Sequence, residues 1–420
     1  MKTFVSVSLL PVSLIFTACT VAHDGSPPAP SGDPSTTAAA EAAIVAAAVT
    51  EAPTGFDNLT NGFCTQAQMD GARAVFEENE GPVDGLGPCY NLTSCASCHQ
   101  NPFSQDGTGG QVNELRAGHF NGTSFVAPPG GSLIHDRAVN AGIQEHVPAG
   151  NEVLTFRTTI SASGDGFVEA IADSTLQAIA NAQPAAQRGT LIQVAVLEAA
   201  GATRAGRFGW KSQHASLLST TAQEYLDEIG ITSRLLPTEN ICNGVVVQGG
   251  PFDGKADPED DASDIDAATL FLRCMKAPPR GPVTANVSNG QTQFNNIGCA
   301  VCHVATITTA PAGTVINGGT FTVPAALGDK NIHPFGDYLL HDIGTGDGIV
   351  QNGGAGTRNM VRTAALWGIR VRTRLMHDGA NVSVSAAIQR HANQAATARN
   401  NFNALSAANQ ADVLAFISSL

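Results

Sequence analysis

One five-residue pattern occurs twice. Cys95-Ala96-Ser97-Cys98-His99 and Cys299-Ala300-Val301-Cys302-His303 both read Cys-x-x-Cys-His. On a helical turn this spacing sets the two thiols on one side, with the histidine just beyond them. Thiols so placed can each join one of the two vinyl groups on a haem edge, and the histidine then lies under the iron. The pattern predicts two covalently bound haem c groups, with His99 and His303 as iron ligands. The competing use of two Cys-x-x-Cys pairs is a zinc ribbon, which does not call for a histidine after each pair.

The sixth position of each iron separates an electron carrier from a catalyst. Downstream of the second motif, Val382 to Gln394 reads as a helix bearing His391, the first choice for the far side of that iron. Met376 and His377, in a polar turn, stand behind it. Around the first motif, His119, His135 and His146 all fall in loops and read as surface or structural residues. An open position there would admit a small oxidant. Gly206-Arg207-Phe208-Gly209-Trp210-Lys211 brings cations and aromatics together. Arg207 and Lys211 are candidates for haem propionates, and Trp210 for a place between haems. The acidic stretch Asp253 to Asp266 lacks the ligand spacing of an EF-hand and reads as a solvated loop.

These residues sit in a 420-residue chain, 43% hydrophobic and 14% charged, with a formal net charge of −14. That composition folds. Its sign argues against nucleic acid or an anionic membrane surface and suits a basic partner protein. Lys2 followed by the apolar run Phe4 to Phe16 reads as an export signal covering residues 1–22. Ile15-Phe16-Thr17-Ala18-Cys19 resembles a lipoprotein cleavage site that would put a lipid on Cys19. Ordinary cleavage after Ala22 is the alternative. Nothing else is apolar enough to cross a bilayer, so a membrane is expected only through that anchor, in the periplasm or cell envelope. Beyond Cys19 and the two motifs, Cys64, Cys89, Cys242 and Cys274 remain. Their even number in an oxidising compartment suggests two disulfides, and proximity favours Cys64–Cys89 and Cys242–Cys274. Free buried thiols are the other reading.

Residues 23–55 form a Pro- and Ala-rich linker, with Ala38 to Val49 a possible short helix. Helical spacing is read over Gln66–Glu78, Gly166–Ala182, Gly189–Ala200, Ser216–Ile229, Ile265–Met275 and Ala407–Leu420. Turn signals dominate from Gly107 to Gly166. The Pro-rich break at 277–282 divides an N-terminal region, 56–281, from a C-terminal one, 282–420.

From about Phe63 to Leu420 the chain resembles the bacterial dihaem oxidoreductases, or thiol-oxidoreductase-like dihaem proteins. These are distant relatives of dihaem cytochrome c peroxidase. The resemblance rests on GRFGWK at 206–211, SLLSTTAQEYLDEIGITS at 216–233, LLHDIGTG at 339–346, and RTAALWGIR at 362–370 leading to MHDG at 376–379. It implies a mainly α fold of two cytochrome c-like domains in the dihaem peroxidase arrangement, the first enlarged by an insertion. In such peroxidases a Met fourteen residues past the His-Asp-Gly turn caps the C-terminal haem, and here that position is His391. A bis-His haem has a lower potential than a His/Met one. Residues on the far side of the N-terminal haem map loosely onto Arg157 and Glu169, which the resemblance implies as catalytic. The expected activity is peroxidase-like. Electrons from a small redox protein would enter at the C-terminal haem and be used at the N-terminal haem on hydrogen peroxide, with Trp210 or Trp367 between. A dihaem electron carrier, or an oxygenase or oxidase of an organic or protein substrate, are the alternatives.

Overall fold

Thr65 starts the first helix. Its hydroxyl accepts the N–H of Gln68 at 3.3 Å, and the Gln68 side chain accepts the N–H of Thr65 at 3.0 Å, a reciprocal capping box. The helix runs Gln66–Glu77 in the computed structural model, which describes residues 48–100, 112–261 and 263–420. Met69, Ala72 and Phe76 point inward from it, as their spacing predicted. They meet the helix Asp264–Cys274, whose Ile265, Ala268, Phe271 and Leu272 are buried. The export signal and most of the linker, with the expected helix at 38–49, lie outside the described residues. No described helix is long and apolar enough to cross a membrane.

The expectation of a mainly α fold is corrected: 32% of the chain is helix and 16% strand. Strand Asn113–Phe120 pairs antiparallel with Val153–Thr158, Leu133–Ile134 and Phe125–Val126 to make a four-stranded sheet. Polar and charged residues on these strands hide the usual apolar alternation. Glu114 and Arg157 are direct cross-strand partners, and Arg116 and Arg157 are buried while Leu154 is exposed. Gly189–Ala200 is not a helix either. Ile192, Val194 and Val196 are buried with Gln193 and Ala195 exposed between them, a period of two. Accordingly Gln193–Ala195 pairs antiparallel with Thr203–Ala205. Gly166–Ala182 forms two helices, Asp165–Glu169 and Asp173–Ala182. Ser216 caps helix Leu217–Glu224, which widens into a π-helical turn, Tyr225–Ile229, ended by Gly230 at φ +79°.

Near the C-terminus, helix Ala285–Asn296 crosses helix Ala407–Ile417. Gly290 permits the crossing, because a Cβ there would overlap the Asp412 carbonyl. Phe294 and Phe416 pack edge to face with centroids 5.1 Å apart, and Phe335 meets Phe416 at 5.5 Å. Residues 47–420 form one compact unit. Its larger core runs across the Pro-rich stretch, joining Phe167, Leu176 and Phe271 to Ile307, Leu327 and Trp367.

The described residues form two disulfides, but their pairing corrects the expectation. Cys64 joins Cys274 and Cys89 joins Cys242, across 210 and 153 residues of chain. Helix packing, not nearness in sequence, brings the thiols together: Cys64 precedes the first helix and Cys274 ends the helix lying against it.

Candidate functional site

Ser94 opens the first Cys-x-x-Cys turn by accepting the N–H of Ser97 at 3.1 Å. The second turn, Cys299–Val301, follows Gly298 in the left-handed region at φ +94°. All four thiols are free and half-buried. Both motifs open onto one largely apolar cavity of about 1200 Å³. This exceeds the ~300–1,000 Å³ usual for a site holding one small molecule.

At the C-terminal end, Nδ1 of His303 lies 2.9 Å from the Phe335 carbonyl. A carbonyl only accepts, so Nδ1 carries the proton and Nε2 keeps its lone pair. Burial pushes this imidazole down to about 4, so the ring is neutral, and His391 lines the same cavity. His391 follows the short helix Val384–Gln389 rather than riding on a helix reaching 394. Its Nδ1 lies 2.9 Å from the Ala387 carbonyl, leaving its Nε2 free too. Met376 and His377 also line the cavity, but His377 directs Nε2 at the Thr345 carbonyl.

At the N-terminal end, half-buried His99 packs against Phe76, ring centroids 6.0 Å apart. Its ring faces the Ile160 carbonyl, yet no well-formed hydrogen bond reaches Nδ1. Of the histidines expected in loops, His119 lies instead on the strand Asn113–Phe120, is exposed, pairs with Glu152 at 2.7 Å, and does not line the cavity. His135 lines it but commits both nitrogens, Nδ1 to Glu145 at 2.9 Å and Nε2 to the Asp227 carbonyl at 2.8 Å. His146 sits on the exposed rim.

Beside Cys98 the cavity wall is acidic. Glu114, Glu224 and Glu228 all face it and all raise the Cys98 thiol after burial does. Arg116 grips Glu114 at 2.5 and 3.1 Å. Burial would raise Glu114, but Arg116 and a hydrogen bond with Glu228 outweigh it and hold the carboxyl at about 2. Burial and then Glu114 push Glu228 well above the carboxylate range, while Asn91 donates to it at 2.6 Å. Glu224 is pushed up to about 8, mostly by burial and Glu114. The wall thus holds a fixed anion beside carboxyls that keep their protons at neutral pH.

Other expected site residues are placed differently. Glu169 does not line the cavity. Its carboxylate binds Arg273 at 2.7 and 2.9 Å and accepts from the Leu217 N–H and Asn317, each at 2.9 Å. Arg157 lines the cavity opposite Glu114, with its guanidinium on Asp347 at 2.6 and 2.9 Å and Gln351 at 2.5 Å. Arg207 also reaches the wall, bonded to Asp173 and main-chain carbonyls. Lys211 does not: it donates to Asp347 at 3.2 Å and to the carbonyls of Thr357, Arg358 and Met360. Trp210 and Trp367 both line the cavity, and the Trp210 indole donates to the Thr158 carbonyl at 2.7 Å.

Sequence reasoning missed Glu114, Glu224, Glu228, Arg362 and Arg372. Glu224 and Glu228 lie four apart in a segment whose apolar spacing drew attention to its other face. Arg362 and Arg372 both reach the cavity, where burial presses the guanidinium of Arg372 down to about 10. They fit the acid tails of a flat, apolar group. The apolar cavity, neutral imidazoles and buried cations together fit two haems.

A family model described as "Di-haem oxidoreductase, putative peroxidase" matches residues 136–420. No curated protein matches the chain. Among solved structures, the chain is similar to hydrazine synthase of Kuenenia stuttgartiensis, at 13% identity and a TM-score of 0.41, covering 89% of this chain and 90% of that one. A MauG-like protein associated with microbial copper homeostasis aligns at 13% identity and a TM-score of 0.40, over 90% and 94% of the two chains. The diheme peroxidase BthA of Burkholderia thailandensis aligns at 16% identity and a TM-score of 0.39, over 84% and 86%.

Proposed function

We propose, for a chain that belongs to the di-haem oxidoreductase family, a peroxidase-like enzyme whose two ends do different work. Cys95 and Cys98 would bond one haem c and Cys299 and Cys302 the other, with His99 holding the first iron and His303 and His391 the second. Arg362, Arg372 and Arg207 would face propionates. Bound there, the haems supply one-electron redox chemistry, electrons entering at the C-terminal site and used at the N-terminal site.

The observation that carries this reading is the asymmetry of the two ends. His391 offers a free Nε2 beside His303, whereas His135 has none to offer near His99. A capped end suits electron transfer, and an end walled by Glu114, Glu224 and Glu228 suits a substrate. Glu228 holds a proton on its carboxyl and can deliver it to an oxygen atom of peroxide in the cavity. Arg116 keeps Glu114 ionised as the acceptor that orients that proton. Trp210, pinned by the Thr158 carbonyl, lies in the wall both sites share. A small redox protein would serve as donor, and the acidic surface favours a basic one. Export, with a lipid on Cys19, is part of the same reading, and two disulfides support an oxidising compartment.

The test is electron paramagnetic resonance of the ferric holoprotein, repeated after one-electron reduction, with peroxide turnover measured against reduced cytochrome c. A high-spin signal in either state together with turnover supports the proposal. Two low-spin signals in both states would reduce the protein to an electron carrier. High-spin iron without peroxide turnover would favour oxidation of an organic or protein substrate.

A further inference from the structure

The acidic loop that reads as solvated in the sequence brings two of its carboxylates, Asp253 and Asp257, to Glu239, which precedes it in the chain. Glu239 is buried, 7% exposed, and its Oε1 has no hydrogen-bond partner. Oδ1 of Asp253 is likewise buried and unpartnered. Carboxylate oxygens of Glu239, Asp253 and Asp257 all lie within 4.8 Å of one another. Three carboxylates converging on one point, one of them buried with an unpartnered oxygen, need a positive charge between them. Among the described residues no cation pairs with them. Lys255, the cation in the same loop, is turned to the Glu259 carbonyl at 2.6 Å and to Asp261 at 3.4 Å.

We infer that Glu239, Asp253 and Asp257 form a calcium site. The donors are all hard oxygens, with no imidazole or thiolate among them, which disfavours zinc and copper. Three carboxylates, completed by water or carbonyl oxygens, match the irregular, oxygen-rich shell of Ca²⁺ better than the strict octahedron of Mg²⁺. The other oxygens of the acidic residues already hold the loop in shape. Asp253 Oδ2 accepts from the Gly249 N–H at 2.6 Å, and Asp257 Oδ1 from the Thr232 hydroxyl at 2.5 Å. Thr232 lies just beyond the π-helical turn that carries Glu228. A cation would therefore clamp the loop onto the segment behind the acidic cavity wall. The inference is independent of the proposed activity.

The full-length, haem-loaded protein is stripped with EGTA and titrated with CaCl2 by calorimetry, and its melting is followed by circular dichroism. Wild type should bind Ca²⁺ and melt roughly 2–5 °C higher at saturation. Glu239→Gln and Asp253→Asn should each bind one equivalent fewer and lose that shift. In EGTA, Glu239→Gln should melt no lower than wild type, since a neutral amide relieves the buried charge. Equal stoichiometry in wild type and both variants, no calcium-dependent shift in wild type, or an equal response to MgCl2 would overturn the assignment.

Discussion

His303 and His391 share one end of the cavity, and each has its Nδ1 tied to a main-chain carbonyl at 2.9 Å, Phe335 for the first and Ala387 for the second. Burial keeps both rings neutral, and the carbonyls fix the proton on Nδ1, leaving Nε2 unprotonated. On the bis-His reading, His391→Met should raise the midpoint potential of the C-terminal haem. The rise should be on the order of a tenth of a volt or more, within the ~0.8 V that axial ligands span. His391→Ala should convert that haem to high spin. A potentiometric titration that leaves both midpoints unmoved in His391→Met would place the ligand elsewhere.

Glu224, held at about 8, keeps its proton at neutral pH and loses it as pH rises past that value. If the acidic wall supplies the proton, peroxide kcat/KM should be flat near neutrality and fall on an alkaline limb centred near 8. Glu224→Gln should remove the limb. Glu228→Gln, which takes away the better-held proton, should lower kcat/KM by roughly 10²–10⁴-fold. A pH profile unchanged in both variants would exclude these carboxyls from the proton path.

Glu169 and Arg273 form a buried pair, and removal of one partner should be felt in stability rather than chemistry. Glu169→Ala should lower unfolding free energy by ~3–5 kcal/mol. Arg273 and three hydrogen bonds outweigh burial and hold the Glu169 carboxyl below its usual range. Its contribution is therefore present above the ordinary carboxylate pKa and lost as pH falls toward the depressed one. Glu169→Gln should leave the pH profile of peroxide turnover unchanged, and a selective loss of the alkaline limb there would return Glu169 to the catalytic set.

Non-reducing peptide mapping should recover Cys64 with Cys274 and Cys89 with Cys242. Cys89→Ser with Cys242→Ser opens a 153-residue loop. By loop-closure entropy this should destabilise the fold by ~4–5 kcal/mol, read from denaturant midpoints. Recovery of Cys64 with Cys89 would contradict the packing of the helices Gln66–Glu77 and Asp264–Cys274.

The sequence alone determined whatever depends on near neighbours in the chain. The two Cys-x-x-Cys-His turns, the capped helix after Thr65 and the closing helix at Ala407 are set by residues within four positions of one another, and such spacing is legible directly. His391 was singled out as the histidine downstream of the second motif, and the family resemblance pointed to the same position by its distance from His377. The rest depends on residues far apart. Glu114 becomes part of the site only because a sheet brings it opposite Arg157 and near Glu228, and its charged strands carry no apolar alternation to announce them. Glu169 lost its expected place because Arg273, more than a hundred residues away, reaches its carboxylate first. The disulfide partners changed for the same reason. Burial and pairing across long stretches of chain are properties of the tertiary structure, and they decided which carboxylates face the cavity and which merely hold the walls.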